Sequence, residues 1–421
     1  MPLTSSKSAS DSLASTGASR WFQFDGNAGD FIVLATQTAQ VANQYDPTII
    51  DTVITLYGPD QQPIAMNDDA LNSVTPDSEL WSKLAQSGTY YVQVSECWTW
   101  AAANPGTPIN CGGTPTKSNT QFGLFFDSLQ INPLPGVAFD TEPNNSTNTA
   151  NLLSYAKASA GGYYMEMLLG DLMTTADKDV YAFAIPNDVP VSQGRLTAGF
   201  SLLPGGQSGD GSPLMEVTAS VVNVQTGAVL AMVDIGNNDL RVPVQALSTG
   251  AKYALVLQHN SSGFTAQDWY VVEHSLGGSN PLETNESGNN SFAGAEFLQA
   301  SSSNAQAVDF FFGGDIISGG ADVDYFYVNV PSGMTKISVS CGSKYMGSGV
   351  LDFAVQLFNS ANTDLSGGPQ METSSSIILK NLAIPVSANK IIVKLSASGQ
   401  SASVTGTFYE CGVHLTAVAA P

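Results

Sequence analysis

The strongest constraint on the fold of this chain is a motif that occurs twice. Glu142-Pro143-Asn144-Asn145-Ser146 is followed by Asp177-Lys178-Asp179-Val180-Tyr181-Ala182-Phe183, and Glu286-Ser287-Gly288-Asn289-Asn290-Ser291 by Asp322-Val323-Asp324-Tyr325-Phe326-Tyr327. Asp179 and Asp324 stand 145 positions apart. That is about one domain length, so the repeat predicts tandem domains rather than one large fold. Each copy gathers carboxylates and side-chain amides, the oxygen donors a hard cation prefers. The end of each copy alternates aromatic and other residues at period two, as a strand does.

Charge narrows the function classes. The chain of 421 residues carries 14 Lys+Arg against 36 Asp+Glu, a formal net charge of −22. The bias is even: 4 basic and 12 acidic residues in 1–132, 5 and 13 in 133–279, 5 and 11 in 280–421. This excludes a nucleic-acid footprint, which needs clustered Lys and Arg. Of the four cysteines, Cys97 and Cys111 are close in sequence, and Cys341 and Cys411 lie within one repeat. Three pairings are open, and Cys97–Cys111 with Cys341–Cys411 is the expected one, which favours an oxidising, extracellular setting. No stretch reaches the ~18 apolar residues of a membrane helix, so membrane insertion is not expected. Residues 1–17 are polar and Ser-rich without the apolar core of a signal peptide; the expectation is a removed signal and an added start Met.

Runs such as Phe31-Ile32-Val33-Leu34-Ala35-Thr36, Val53-Ile54-Thr55-Leu56-Tyr57, Tyr90-Tyr91-Val92-Gln93-Val94 and Ile391-Ile392-Val393-Lys394-Leu395 have strand length and composition and are bounded by turn residues. Short helices are predicted only near 148–157 and 292–299. Pro/Gly linkers at 131–136 and 277–281 divide the chain into units 1–132, 133–279 and 280–421. The fold class expected is all-β: three tandem β-sandwich domains of jelly-roll or Greek-key type.

At this point the chain resembles the bacterial pre-peptidase C-terminal domain family, which includes collagen-binding domains of collagenases. The resemblance rests on Asp140, Glu142, Asn144, Asn145, Ser146, Ala150, Gly170, Asp177, Asp179 and Tyr181 in the second unit. In the third it rests on Glu283, Glu286, Asn289, Asn290, Ser291, Ala295, Gly314, Asp322, Asp324 and Phe326. The first unit is similar only to the family's later half, through Asn27-Ala28-Gly29-Asp30, Asp51-Thr52, Asn67-Asp68-Asp69 and Ser87-Gly88-Thr89-Tyr90-Tyr91-Val92. Ala18-Ser19-Arg20-Trp21-Phe22 stands where the Asp-x-Asp segment belongs. The resemblance implies non-catalytic sandwiches of secreted or surface proteins, some binding calcium where the linker meets the sandwich, some binding collagen or carbohydrate.

The expected calcium ligands are therefore Asp140, Glu142, Asn144 or Asn145, Asp177 and Asp179 in the second unit. In the third they are Glu283, Glu286, Asn289 or Asn290, Asp322 and Asp324. Residues two apart on an extended chain share a face, so each Asp-x-Asp pair can serve one ion. Solvated turn carboxylates are the plain alternative. Asn67-Asp68-Asp69 with Asp51 reads first as a side-chain-stabilised turn and second as a further cation site. Trp98 and Trp100 sit in the segment between Cys97 and Cys111, read as a stapled loop. Either they form a recognition surface for an extracellular polysaccharide or protein, or a small satellite core. His259, His274 and His414 fall in no catalytic motif, and no nucleophile elbow, zinc helix or phosphate loop occurs. The expectation is a non-catalytic, secreted or cell-surface array for adhesion, display or assembly, self-association included. A binding module or an accessory segment of a secreted hydrolase is the alternative.

Overall fold

Most of the longer strands are β-branched or aromatic runs bounded by turn residues, and the strands assemble into paired sheets. The structure, a computed structural model, describes residues 1–5, 7–13, 18–40, 46–69, 77–107, 109, 111, 115–129, 137–153, 155–157, 164–188, 196–204, 212, 214, 216–235, 240–242, 244–260, 268–278, 283–285, 287–316, 322–373 and 376–417. In the first unit one sheet runs in the order Ser19–Gly26, Gly88–Glu96, Thr52–Tyr57, Pro63–Asn67, and the other Lys7–Ser12, Gln121–Ser128, Phe31–Gln37, Glu79–Lys83. The second unit repeats this order. Lys178–Ala184, Lys252–His259, Val217–Asn223 and Val229–Ile235 form one sheet; Tyr164–Asp171, Trp269–Gly278 and Leu196–Pro204 lead the other. So does the third, with Val323–Asn329, Lys390–Ser396, Ala354–Asn359 and Gln370–Met371 facing Ala307–Asp315, Phe408–Ala417, Met334–Gly342 and Ile377–Ala383. The linker regions 131–136 and 279–281 lie outside the described residues.

Inward-facing residues at period two fill the space between each pair of sheets. Phe24 stacks between Tyr90 and Phe126 in the first unit. Phe183, Phe200 and Tyr253 cluster in the second, and Phe312 meets Phe326 in the third. Burial of such a ring stabilises the fold by ~1.5–3 kcal/mol. A short parallel strand joins one sheet edge in the later units: Asn151–Leu152 beside Lys178–Ala184, and Glu296–Phe297 beside Val323–Asn329. Among the described residues of the first unit, a single parallel bridge, Pro2 to Gln23, takes this place.

The units touch through two different junctions. Phe31, Val33 and Leu129 of the first pack against Leu169 and Trp269 of the second, and Lys83 forms an ion pair with Asp171. Between the second and third the contact combines main-chain bonds with side-chain packing. Met232 N donates to Gly347 O at 3.0 Å, Thr405 N to Val229 O at 2.8 Å and Gly406 N to Leu230 O at 3.1 Å. The third unit thereby covers the edge of the strand Val229–Ile235, which would otherwise expose unpaired donors and acceptors. Phe408 of the third unit is buried in the core of the second.

Both expected disulfides are present, Cys97–Cys111 and Cys341–Cys411. The latter joins residues directly opposite each other on neighbouring strands. The segment after Cys97 is a correction: Cys97–Ala103 is an α-helix rather than a loop, capped by Glu96, whose carboxylate accepts from Thr99 N. Neither predicted helix near 148–157 or 292–299 forms as such. Asn151–Leu152 and Ala156–Lys157 are extended, and only Phe292–Gly294 makes one 3-10 turn. In both places pairing with the sheet edge overrides local helix preference.

Candidate metal centre

The linker of the second unit enters as a strand, Val137–Phe139, parallel to Met167–Leu169. Asp140 follows, its N–H donating to Leu169 O at 2.8 Å. This pins the linker beside the start of the strand Lys178–Ala184. The carboxylate oxygens of Asp140, Glu142 and Asp179 come within 4.8 Å of one another, the one such acidic group among the described residues. Asp179 is fully buried, Asp140 partly so, and Glu142 stands exposed at the mouth.

Asn144 closes the floor. Its side chain is fully buried, its Nδ2 donates to Asp140 Oδ1, and its N–H donates to Glu142 Oε2 at 3.0 Å. Its own Oδ1 and Asp179 Oδ1 are buried without a hydrogen-bond partner. Two orphaned acceptors among three acids amount to a surplus of lone pairs, which a cation would satisfy and further acceptors would not. Asp177 and Asn145, also expected ligands, are engaged in building the corner. Asp177 accepts from Met173 N at 2.7 Å and Lys178 N at 3.1 Å, and Asn145 Oδ1 accepts from Lys178 N at 2.9 Å. They hold the strand start that presents Asp179.

Electrostatics follow from the crowding. Burial above all, then the neighbouring Asp140, pushes Asp179 up to about 9. Burial likewise pushes Asp140 up to about 7; Glu142 and Asp171 add to this, while the Tyr181 hydroxyl and Lys83 oppose it. The ionised forms are disfavoured here unless positive charge enters.

The third unit rebuilds the corner with substitutions. Glu283 takes the place of Asp140, its N–H donating to Gly313 O, and its carboxylate accepts from Asp315 N at 2.7 Å and Asn289 Nδ2 at 3.3 Å. Asn289 and Asp324 are fully buried, Asp322 nearly so, and Asn289 Oδ1 is orphaned as in Asn144. Asn290 Oδ1 accepts from Val323 N at 2.9 Å, as Asn145 does from Lys178. Glu286 lies outside the described residues. Phe326 replaces Tyr181, so this corner lacks one hydroxyl.

Two residues of each corner escaped sequence reasoning. Tyr270 donates to Asp179 Oδ2, beside Tyr181 of the motif itself, whose hydroxyl donates to Asp140 Oδ1 at 3.0 Å. In the third unit Tyr409 donates to Glu283 Oε2 at 3.4 Å. These tyrosines cross over Gly170 and Gly314, where a Cβ would collide with their hydroxyls. Asn151 and Glu296 tie the linker down, each accepting from the N–H of Thr141 or Thr284. The signals were there: Trp269-Tyr270 and Phe408-Tyr409 are matching pairs, and Asn151 and Glu296 hold the same offset as the motif.

The tryptophans separate. A helix turns ~100° per residue, so positions two apart face different ways. Trp100 is buried with Val53 and Cys97, and its Nε1 donates to Thr55 Oγ1 at 3.0 Å. Trp98 is 40% exposed. Trp100 is thus core, and a paired aromatic surface does not exist here. Asn67 Oδ1 accepts from Glu79 N at 2.9 Å, a bond to a neighbouring strand rather than within a local turn; residues 70–76 lie outside the described residues. Beside it burial, with Asp68 adding, pushes Asp69 up to about 6. The histidines are structural in setting. His274 stacks on Phe200, with burial pulling it down to about 3; His259 meets Asp268 at 3.0 Å and His414 meets Asp309 at 2.5 Å.

No family model matches the chain, and no curated protein matches it. Among solved structures it is similar to the pre-peptidase C-terminal domain of a collagenase from Bacillus anthracis, at 15% identity over 30% of this chain and 92% of that one, TM-score 0.20. It is similar to the PBSX exported protein XepA at 13% identity, covering 60% and 85%, TM-score 0.18. A third, described as the triple jelly roll fold and turret assembly of an archaeal virus, is 11% identical, covering 95% and 81%, TM-score 0.17.

Proposed function

We propose that the chain is a non-catalytic extracellular array of β-sandwich units for display, adhesion or assembly, stiffened by calcium at the linker corners. The observation that carries the reading is the second-unit corner, where Asp140, Glu142 and Asp179 converge on the orphaned oxygens of Asn144 and Asp179. Carboxylate and amide oxygens in this number suit a hard cation taking six to eight oxygens at ~2.3–2.6 Å, water supplying the remainder. Asp140 and Glu142 belong to the linker and Asp179 to the sandwich, so one ion would clamp the linker to the fold. Two disulfides suit an oxidising compartment. No helix among the described residues is long and apolar enough to cross a membrane.

The mechanism is linkage. An ion that binds only the folded corner stabilises it by RT ln(1 + [L]/Kd), ~2.7 kcal/mol at a hundredfold excess over Kd. Thermal melts of the full chain in calcium and in EGTA, with elemental analysis of dialysed protein, test the proposal. A calcium-dependent rise in melting temperature that Asp179→Ala abolishes is expected. Identical melts with and without calcium, and no bound metal, would overturn it.

A further inference from the structure

Where the third unit covers the strand Val229–Ile235, the two units leave a cleft of about 460 Å³ between them. The size falls in the range of small-molecule sites, which favour boundaries between domains. Its walls are fixed rather than loose. Main-chain bonds from Met232, Thr405 and Gly406 lock the two units together, and Ser401 N donates to Gly349 O at 2.6 Å. Glu372 accepts from the N–H groups of Ser343, Lys344 and Tyr345 at 2.9, 2.9 and 3.0 Å, which holds the turn carrying two of the lining residues.

The lining has a definite chemistry. Met232 and Asp234 come from the second unit, and Lys344, Tyr345, Ser401 and Ser403 from the third. Among the described residues no hydrogen bond or ion pair engages Lys344 Nζ or the Tyr345 hydroxyl. Asp234 uses one carboxylate oxygen on Thr218 Oγ1 at 2.7 Å, leaving the second. Ser401 and Ser403 face each other at 3.0 Å with lone pairs to spare. A ring and a thioether beside donors, acceptors and amphoteric hydroxyls match a ligand with an apolar face and a rim of hydroxyl groups. Asp234 and Lys344 cancel locally, while a net charge of −22 on the whole chain repels anions.

We propose that this interdomain cleft binds one unit of a neutral carbohydrate chain, its sugar face against Tyr345 and Met232 and its hydroxyls shared among Asp234, Lys344, Ser401 and Ser403. This names a partner for the extracellular array and to that extent rests on the non-catalytic reading, but it makes no use of calcium. Saturation-transfer NMR and calorimetric titration of the full chain with cellohexaose, maltohexaose and N-acetylchitohexaose test it. Saturable binding of at least one is expected, weakened about tenfold or more by Tyr345→Ala and by Asp234→Asn. Tyr345→Phe, which keeps the ring and so the fold, should weaken it less. Trp98→Ala and EGTA should leave it unchanged. No saturable binding at about 10 mM sugar, or binding indifferent to the Tyr345 and Asp234 variants, would overturn the proposal. So would binding abolished by EGTA, since it would then belong to the cation corner.

Discussion

Replacing Asp179 by Asn should stabilise the calcium-free protein, the reverse of what removing a buried charged group usually does. The side chain is fully buried, and burial and Asp140 raise its carboxyl to about 9. An unfolded-state Asp ionises near 3.9, so at pH 7 the folded chain holds a proton that the unfolded chain released about three pH units earlier. At 1.36 kcal/mol per unit this opposes folding by ~4 kcal/mol. The folded values of Asp140 and Asp179 both lie above the unfolded one. Their contribution is therefore fully present below about pH 4 and is lost as pH rises through about 7 and about 9. Asn has the same shape and no proton to hold. In EGTA, Asp179→Asn should gain ~2–4 kcal/mol at pH 7 and almost nothing at pH 4, while losing the calcium response. Hydrogen exchange of peptides covering Lys178–Ala184 and Lys252–His259, corrected for the intrinsic pH dependence, reads this unit alone. A variant destabilised equally at both pH values would show that the wild-type carboxylate is compensated, and the reasoning would fail.

Trp100→Ala should cost ~3 kcal/mol or more in the first unit, since it empties a packed site and strands the Thr55 hydroxyl; Trp98→Ala should cost under ~1 kcal/mol, both read by chemical denaturation. Reduction should remove ~4 kcal/mol for Cys341–Cys411, whose cysteines are 70 positions apart, and ~3 kcal/mol for Cys97–Cys111, 14 apart; denaturant titrations with and without reductant check the order. Gly406→Ala should loosen the second from the third unit, because a Cβ there meets Leu230 O, and limited proteolysis between the two should accelerate while the first unit is unaffected.

What the sequence made legible was whatever recurs along it. The Asp-x-Asp pair and the Asn-Asn pair could be aligned by eye, and they mark the same corner in two units. Runs of strand composition such as Tyr90–Val94 likewise marked strands the structure forms, here Gly88–Glu96, whose alternating burial lines the core. Less legible was the division of labour within a motif. Asp177 and Asp179 look equivalent in sequence, yet one is consumed by backbone N–H groups of its turn and the other is left facing the cluster, because turn geometry decides it. The Trp98–Trp100 pair misled for a related reason. Separation by two means a shared face on a strand and divergent faces on a helix, and Glu96 as a cap tips seven residues into helix. Tyr270 and Tyr409 were hidden because they arrive from the last long strand of each unit, 91 and 126 residues from their carboxylate partners.

The two junctions give the acidic corner a setting that its own residues do not. Lys83 belongs to the first unit, pairs with Asp171 of the second, and is near enough to Asp140 to oppose its upward shift. Docking of the first unit thus brings one positive charge to the rim of a site crowded with negative ones. A cation bound in the corner would draw on the same carboxylates as the Lys83 ammonium, so by linkage each would alter the free energy of the other. The apolar contact of Phe31 and Leu129 with Leu169 and Trp269 does not titrate and holds the units together regardless. On the proposed reading, a cation bound in the corner would adjust a junction that hydrophobic packing has already made, setting its stiffness rather than its assembly.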